Sequence, residues 1–155
     1  MNKIGIIISG GAIEAPFTLE FLKSKQAEIT IAVDRGLEFM YKYGLEPTHI
    51  VGDFDSIDPA VISYYKKEAK VPIREFNPVK DASDTEIAIR LAIELGVKEL
   101  WILGGTGTRL DHVMANIQSL KIAANAKVKA YLLDSHNRIS LLETSSSLYR
   151  AEAFG

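Results

Sequence analysis

Short runs of Ile, Val and Leu alternate along this chain with segments whose apolar residues recur at helical spacing, and few folds accommodate that rhythm. The runs cover residues 3–9, 29–33, 48–51, 71–76, 99–103 and 128–133. They are almost continuously apolar, as strands covered on both faces must be. The clearest helical segment between them is 84–95, where Ile87, Ala88, Leu91, Ala92 and Leu95 form one stripe. Ser83 and Glu86 make an S-x-x-E box at its start, and Gly96 stops it. A second helix is expected over 111–125, with Val113, Ile117, Leu120 and Ala124 inward. Shorter helices are expected over 35–43 and 59–67, Pro59 suiting a first turn behind Asp58. Strand and helix in repeated succession predict an α/β fold, a parallel sheet with helices on both faces. Residues 138–142 and 147–153 break the rhythm and read as a hairpin. A lone hairpin is marginal, so these strands are expected to join a further β layer or another copy of the chain.

Composition removes several classes of function. Hydrophobic residues make up 47% and charged residues 25% of 155, the ordinary globular balance. A fold of this size hides roughly 70% of the surface its unfolded chain exposes, so neither metal nor disulfide is needed merely to hold it together. Cysteine is absent, which excludes a disulfide scaffold, a thiolate metal site and a cysteine nucleophile. The early apolar stretch 4–8 is too short to cross a bilayer and lacks the flanks of a signal peptide. No membrane role is expected, and a cytoplasmic protein is the default. The formal net charge of -2 argues against a broad nucleic-acid surface. It leaves room for a phosphate ligand, because one cation or a bound metal reverses the field locally.

In a sheet of this kind ligands sit beyond the carboxyl ends of the strands. Five successive junctions there carry Gly or Asp: Ser9-Gly10-Gly11, Asp34-Arg35-Gly36, Gly52-Asp53-Phe54-Asp55-Ser56, Asp81-Ala82-Ser83-Asp84, and Gly104 through His112. Asp53 and Asp55, at i and i+2 of an extended segment, present carboxylates on one side, their Cα atoms roughly 7 Å apart. Such a pair can approach one Mg²⁺, a hard cation that prefers oxygen ligands; the plainer reading is a polar turn. Asp84 complements the dipole of its helix, or completes a three-carboxylate metal site with Asp53 and Asp55. Without a cation those three would repel one another. Gly104, Gly105 and Gly107 permit close backbone contacts, the helix behind them offers free N–H groups to an anion, and Arg109 adds a cationic fork. Neither a Walker A loop nor a G-x-G-x-x-G fingerprint is present. Asp34 either caps the following helix or binds a ribose hydroxyl or a metal-bound water. His112 reads more simply as a structural hydrogen-bond partner than as a catalyst. His49 and His136 read as ordinary surface residues, and Trp101 as core.

Taken together, Val33-Asp34-Arg35-Gly36, Gly52-Asp53-Phe54-Asp55-Ser56-Ile57, Lys80-Asp81-Ala82-Ser83-Asp84 and Gly104-Gly105-Thr106-Gly107-Thr108-Arg109-Leu110-Asp111-His112 resemble the thiamine pyrophosphokinases in order and spacing. Ala115-Asn116 and Leu133-Asp134-Ser135-His136-Asn137-Arg138-Ile139 fit as well, so the likeness covers essentially the whole chain. It implies an α/β nucleotide- and metal-binding domain over 1–134, followed over 135–155 by the first strands of a small thiamine-binding β-sandwich. Most of that sandwich is expected to be missing and the chain alone to lack turnover. The implied reaction moves the terminal diphosphate of ATP onto the thiamine hydroxyl and releases AMP, with Mg²⁺ as cofactor and a homodimer as the full-length assembly. Asp53, Asp55 and Asp84 would hold the metal and, with Arg109, form the catalytic set. Gly10, Gly11, Asp34, Asp81, Ser83, Gly105, Thr106, Gly107, Arg109, Asp111 and His112 would line the nucleotide site. Arg35 and Thr108 stand where many relatives have glycine. Two other readings compete. A haloacid-dehalogenase-type phosphatase would use Asp53 as nucleophile, leaving the Gly104–Asp111 loop without a task; a nucleotide-binding module would bind without catalysis.

Overall fold

The computed structural model describes residues 3–52, 57–75 and 83–141. Strands β1 (Ile4–Ile8), β2 (Ile29–Val33), β3 (His49–Gly52), β4 (Ile73–Glu75), β5 (Glu99–Leu103), β6 (Lys129–Leu133) and β7 (Arg138–Ile139) form one sheet in the order β4-β3-β2-β1-β5-β6-β7. All neighbours are parallel except β6 and β7. The helices are α1 (Ala15–Lys25), α2 (Gly36–Lys42), α3 (Pro59–Ser63), α4 (Asp84–Glu94) and α5 (Leu110–Asn125), with α3 running into a π-helical turn, Tyr64–Glu68. The chain winds outward from β1 to β4, then returns across the sheet through α4 to β5 on the other side of β1. Right-handed crossovers in opposite directions put their helices on opposite faces.

The alternation of side chains along each strand sorts the core into two layers. Ile7, Ile31, Leu100, Ile102 and Leu132 pack with Ala88, Leu91 and Ala92 of α4 and Leu120 and Ala123 of α5. Ile6, Ile8, Ala32, Ile50 and Leu103 face the other way, toward Phe17 and Phe21 of α1, Leu37 and Met40 of α2, and Val61 and Tyr65. Each fully buried aliphatic side chain contributes about 1.5–3 kcal/mol. Trp101 is core, as its sequence setting suggests. It is 8% exposed, stacked on Tyr131 at 4.3 Å between centroids, and its indole N–H donates to Glu99 Oε2 at 2.8 Å.

The local signals act as their chemistry requires. Ser83 Oγ accepts from the Glu86 N–H at 3.2 Å, although Glu86 itself turns to Arg90, 3.7 Å away. Helix α4 ends in a Schellman closure: Gly96 N–H donates to Ile93 O at 3.1 Å and Val97 N–H to Ala92 O at 3.1 Å. Asp58 Oδ1 caps α3 through the Ala60 N–H at 2.9 Å, ahead of Pro59. The stripe of α5 is offset from expectation. Leu120 is buried, but its inward companion is Ala123, and Ala124 is only partly covered. The alternation calls for a helix between the first two strands without placing it; α1 fills that position and buries Thr18 on its inner side. The expected 59–67 helix divides into an α turn and a π turn. Arg138 and Ile139 pair back onto β6 and extend the same sheet, while residues 147–153 lie outside the described residues.

Tyr65 is 1% exposed and its hydroxyl donates to Leu45 O at 2.7 Å. Burial, with help from Tyr64, Glu46 and Tyr41, pushes this phenol up to about 12. Tyr65→Phe would leave the partly buried Leu45 carbonyl without this donor. The expected cost is about 1–3 kcal/mol, read as a lower midpoint in urea unfolding with an unchanged slope.

Candidate functional site

The reversal of winding at β1 leaves a crevice beyond the carboxyl ends of β1 and β5, the position where open α/β sheets bind ligands. It opens into a cleft of about 800 Å³. Segments 9–12 after β1, 34–35 after β2, 83–85 at the start of α4 and 104–109 after β5 line it, with His112, Val113, Ala115 and Asn116 of α5. Thus Gly10, Gly11, Asp34, Ser83, Asp84, Gly105, Thr106, Gly107, Arg109 and His112, singled out along the sequence, come together. Asp111 does not line the cleft. Asp53, Asp55 and Asp81 lie outside the described residues, as does the three-carboxylate arrangement that needs the first two. Among the described residues alone, no group of three metal-ligating side chains forms.

Two glycine segments are zipped edge to edge at the cleft floor. Ser9 N–H donates to Leu103 O at 2.8 Å, Gly11 N–H to Gly104 O at 2.7 Å and Ala12 N–H to Thr106 O at 2.9 Å. Backbones this close exclude side chains: a Cβ on Gly11 would strike the carbonyl oxygens of Gly104 and Thr106. Gly104 also has φ +74°, and its Cβ would meet the Ser9 carbonyl. Asn116 Nδ2 takes the remaining loop carbonyl, that of Gly105, at 2.8 Å. The carbonyls of residues 104–106 are therefore all engaged. Among the described residues no protein acceptor meets the N–H groups of Gly105, Thr106 or Gly107. A loop with its acceptors satisfied and its donors free presents the polarity an anion needs.

Acidic groups stand on the α4 and β2 sides. Asp34 does not cap α2. The cap position belongs to Arg35, with no side-chain bond, and Asp34 sits in the left-handed region at φ 47°. Its N–H is held by Val51 O at 3.1 Å, while its buried Oδ1 has no hydrogen-bond partner among the described residues. A buried carboxylate oxygen without a donor costs roughly 1–3 kcal/mol or more, and such a group calls for a ligand. Asp84 is partly buried, and that burial pushes its carboxyl above the usual carboxylate range, opposed by its own backbone N–H and by nearby His112. Ser83 is committed to its cap.

Arg109 and Asp111 pair with each other at 2.8 Å, both largely exposed. That hydrogen bond from Arg109 is the main cause holding the Asp111 carboxyl below its ordinary range. The guanidinium is thus parked at the mouth of the cleft. The donor set that Asp34 and Asp84 offer is all oxygen, suited to a hard divalent cation, and the orphaned Asp34 oxygen fits a metal-bound water or a hydroxyl equally well. Sequence reasoning missed the weight of two side chains outside the glycine run, Asn116 and Asp134. The signals available for them were an amide one turn along from Val113 and an Asp-x-x-Asn spacing directly after a strand.

The family model described as thiamin pyrophosphokinase, catalytic domain, matches residues 22–132. The chain is similar to the thiamine pyrophosphokinase of Bacillus subtilis, 32% identical over 141 residues, covering 91% of this chain and 64% of that protein. The crystal structure of the B. subtilis protein superposes with a TM-score of 0.73 at 30% identity, over 90% of this chain and 64% of that one. The yeast thiamin pyrophosphokinase structure, at 18% identity and a TM-score of 0.68 over 85% of this chain and 58% of that one, shares the fold. This chain therefore spans just under two thirds of the length of the B. subtilis relative.

Proposed function

Because the chain belongs to the thiamin pyrophosphokinase catalytic-domain family, we propose that its cleft binds ATP with Mg²⁺ and serves diphosphate transfer to the hydroxyl of thiamine. The observation that carries this reading is the opposition of two surfaces in one cleft: the N–H groups of Gly105, Thr106 and Gly107, unmet among the described residues, on one side, and the Asp34 oxygen without a partner among those residues, with the desolvated Asp84 carboxylate, on the other. The loop N–H groups bind phosphate oxygens and fix the chain of phosphates. Arg109, released from Asp111, adds a fork that matches phosphate and meets charge as it develops. In the transfer, the thiamine hydroxyl oxygen bonds to the β-phosphorus and the bond from that phosphorus to the α–β bridging oxygen breaks, so AMP leaves. The hydroxyl proton passes to a nearby carboxylate or to solvent. Asp84, with Asp53 and Asp55, would hold the metal, which when bound supplies charge neutralisation at the phosphates.

The same reading gives ATP and thiamine as partners and a second copy as the assembly, in the cytoplasm. Leu110 and Met114, one turn apart near the start of α5, are 73% and 55% exposed, apolar surface beside the cleft that a further layer would cover. No helix among the described residues is long and apolar enough to cross a membrane. The test is AMP release from ATP with thiamine and Mg²⁺, comparing this chain with one extended to the length of its relatives. Turnover in the extended chain, abolished by EDTA and by Asp55→Asn, is expected. Mg-ATP binding without turnover in the shorter chain would assign it the binding half of the reaction. Absence of both turnover and binding from both chains would end the proposal.

A further inference from the structure

The floor of the cleft is the wall of a second, smaller cavity of about 380 Å³, bounded by α1, the start of α5 and the turn between β6 and β7. Gly104, Thr106 and Gly107 border both. Within residues 104–107 the only side chain is that of Thr106, and its hydroxyl donates to Asp134 Oδ2 at 2.8 Å. Thr106 therefore offers the cleft its backbone, with its side chain used as an anchor.

We propose that Asp134 is a positioning residue for the phosphate loop, gripping the Thr106 hydroxyl so that residues 105–107, which line the cleft and whose N–H groups meet no acceptor among the described residues, keep one arrangement there. This rests on the reading of the cleft as a nucleotide site. Asp134 is itself immobilised. Its Oδ1 accepts the His136 N–H at 2.8 Å and the Asn137 N–H at 2.6 Å, Asn137 Nδ2 reaches it at 3.2 Å, and its own N–H donates to Asn137 O at 2.9 Å. The next residue, Ser135, donates to Glu14 Oε1 at 2.6 Å, which ties the turn to the segment following Gly10 and Gly11. Burial pulls the Asp134 carboxyl upward, but the combined donors from His136, Thr106 and Asn137 outweigh it and hold it below the ordinary range. An ionised carboxylate only accepts, so Thr106 must donate, and the orientation of the bond is fixed. A loop with glycine on both sides of its one side chain has much backbone freedom to lose. An anchor at its centre removes that freedom before the ligand arrives, which is how preorganisation strengthens binding.

The test uses Thr106→Val, Thr106→Ser and Asp134→Asn, each read by amide exchange at Gly11 and Ala12, whose N–H groups bond the loop carbonyls of Gly104 and Thr106, without ligand and by titration with Mg²⁺ and a non-hydrolysable ATP analogue. Thr106→Val is expected to speed exchange at those amides roughly tenfold, leave the amides of β5 and α5 unchanged, and weaken the analogue about tenfold, as loss of an orienting contact does. Thr106→Ser restores both readings. Asp134→Asn, whose amide can still donate to the Thr106 hydroxyl, is expected to impair both readings less than Thr106→Val, and the double variant to be no worse than Thr106→Val alone. Wild-type exchange in Thr106→Val, or equal impairment in Thr106→Ser, overturns the inference. If the wild-type chain binds no analogue, the nucleotide reading fails and the exchange arm still decides whether Asp134 orders the loop.

Discussion

Asp84→Asn is expected to make the ligand-free protein more stable while removing roughly 10²–10³-fold of the turnover of the extended chain, the scale on which a lost charge-stabilising group acts. Burial raises the Asp84 carboxyl in the folded chain. A raised acid binds its proton more tightly folded than unfolded. Above the raised value the ionised form burdens the fold in full; as pH falls through that value and then through the ordinary one, the burden disappears. The amide carries no charge and escapes the cost at every pH. Thermal unfolding near neutral pH should therefore give a higher midpoint for the variant, the difference closing in acid below the ordinary carboxylate range. Added Mg²⁺ with nucleotide should reverse the ranking, because a ligand stabilises only the form that binds it. A variant less stable than wild type without ligand, or with wild-type turnover, would remove Asp84 from the site.

Gly104→Ala is expected to damage fold and cleft together. Its φ of +74° is unfavourable for any residue with a Cβ, and that Cβ would be driven into the carbonyl of Ser9. Strain of this kind costs about 1–3 kcal/mol, and the clash adds to it by prising apart the Ser9 and Gly11 hydrogen bonds. A loss of about 3 kcal/mol lowers the unfolding midpoint of a chain this size by roughly 6–12 °C. Nucleotide titration should find no binding at temperatures where the variant is still folded. Gly44→Ala is the control, since its φ is +66° but nothing among the described residues lies within 4 Å of the added carbon; only strain is expected there, with the cleft intact. Equal effects at both positions would mean that the contact between the two glycine segments does not matter.

The gathering of Gly10, Gly11, Asp34, Asp84 and the 104–107 loop at one end of the sheet was legible because an α/β rhythm dictates where strand ends go. The caps at Asp58 and Ser83 and the stop at Gly96 were legible because they satisfy local backbone groups with neighbouring residues. The inward face of α5 was less so. A rotation of one residue separates Ala123 from Ala124, and only the packing partners choose between them. Arg109 is the sharpest case. Its position in the loop was readable, but its engagement with Asp111 was not, because two exposed side chains of opposite charge two residues apart satisfy each other before any ligand arrives.

By itself the sequence determined the layers, the edge of the sheet on which a ligand would sit, and most of the residues gathered there. These follow from periodicity and local hydrogen bonding, which act over a few residues. Only the tertiary structure decided that the Asp34 oxygen meets no donor among the described residues, and that Thr106 is anchored by a residue 28 positions away. It also decided that the two glycine segments share one backbone seam. Those depend on which strand lies beside which, and the crossover that sets β1 against β5 is a long-range choice that burial of the whole sheet makes.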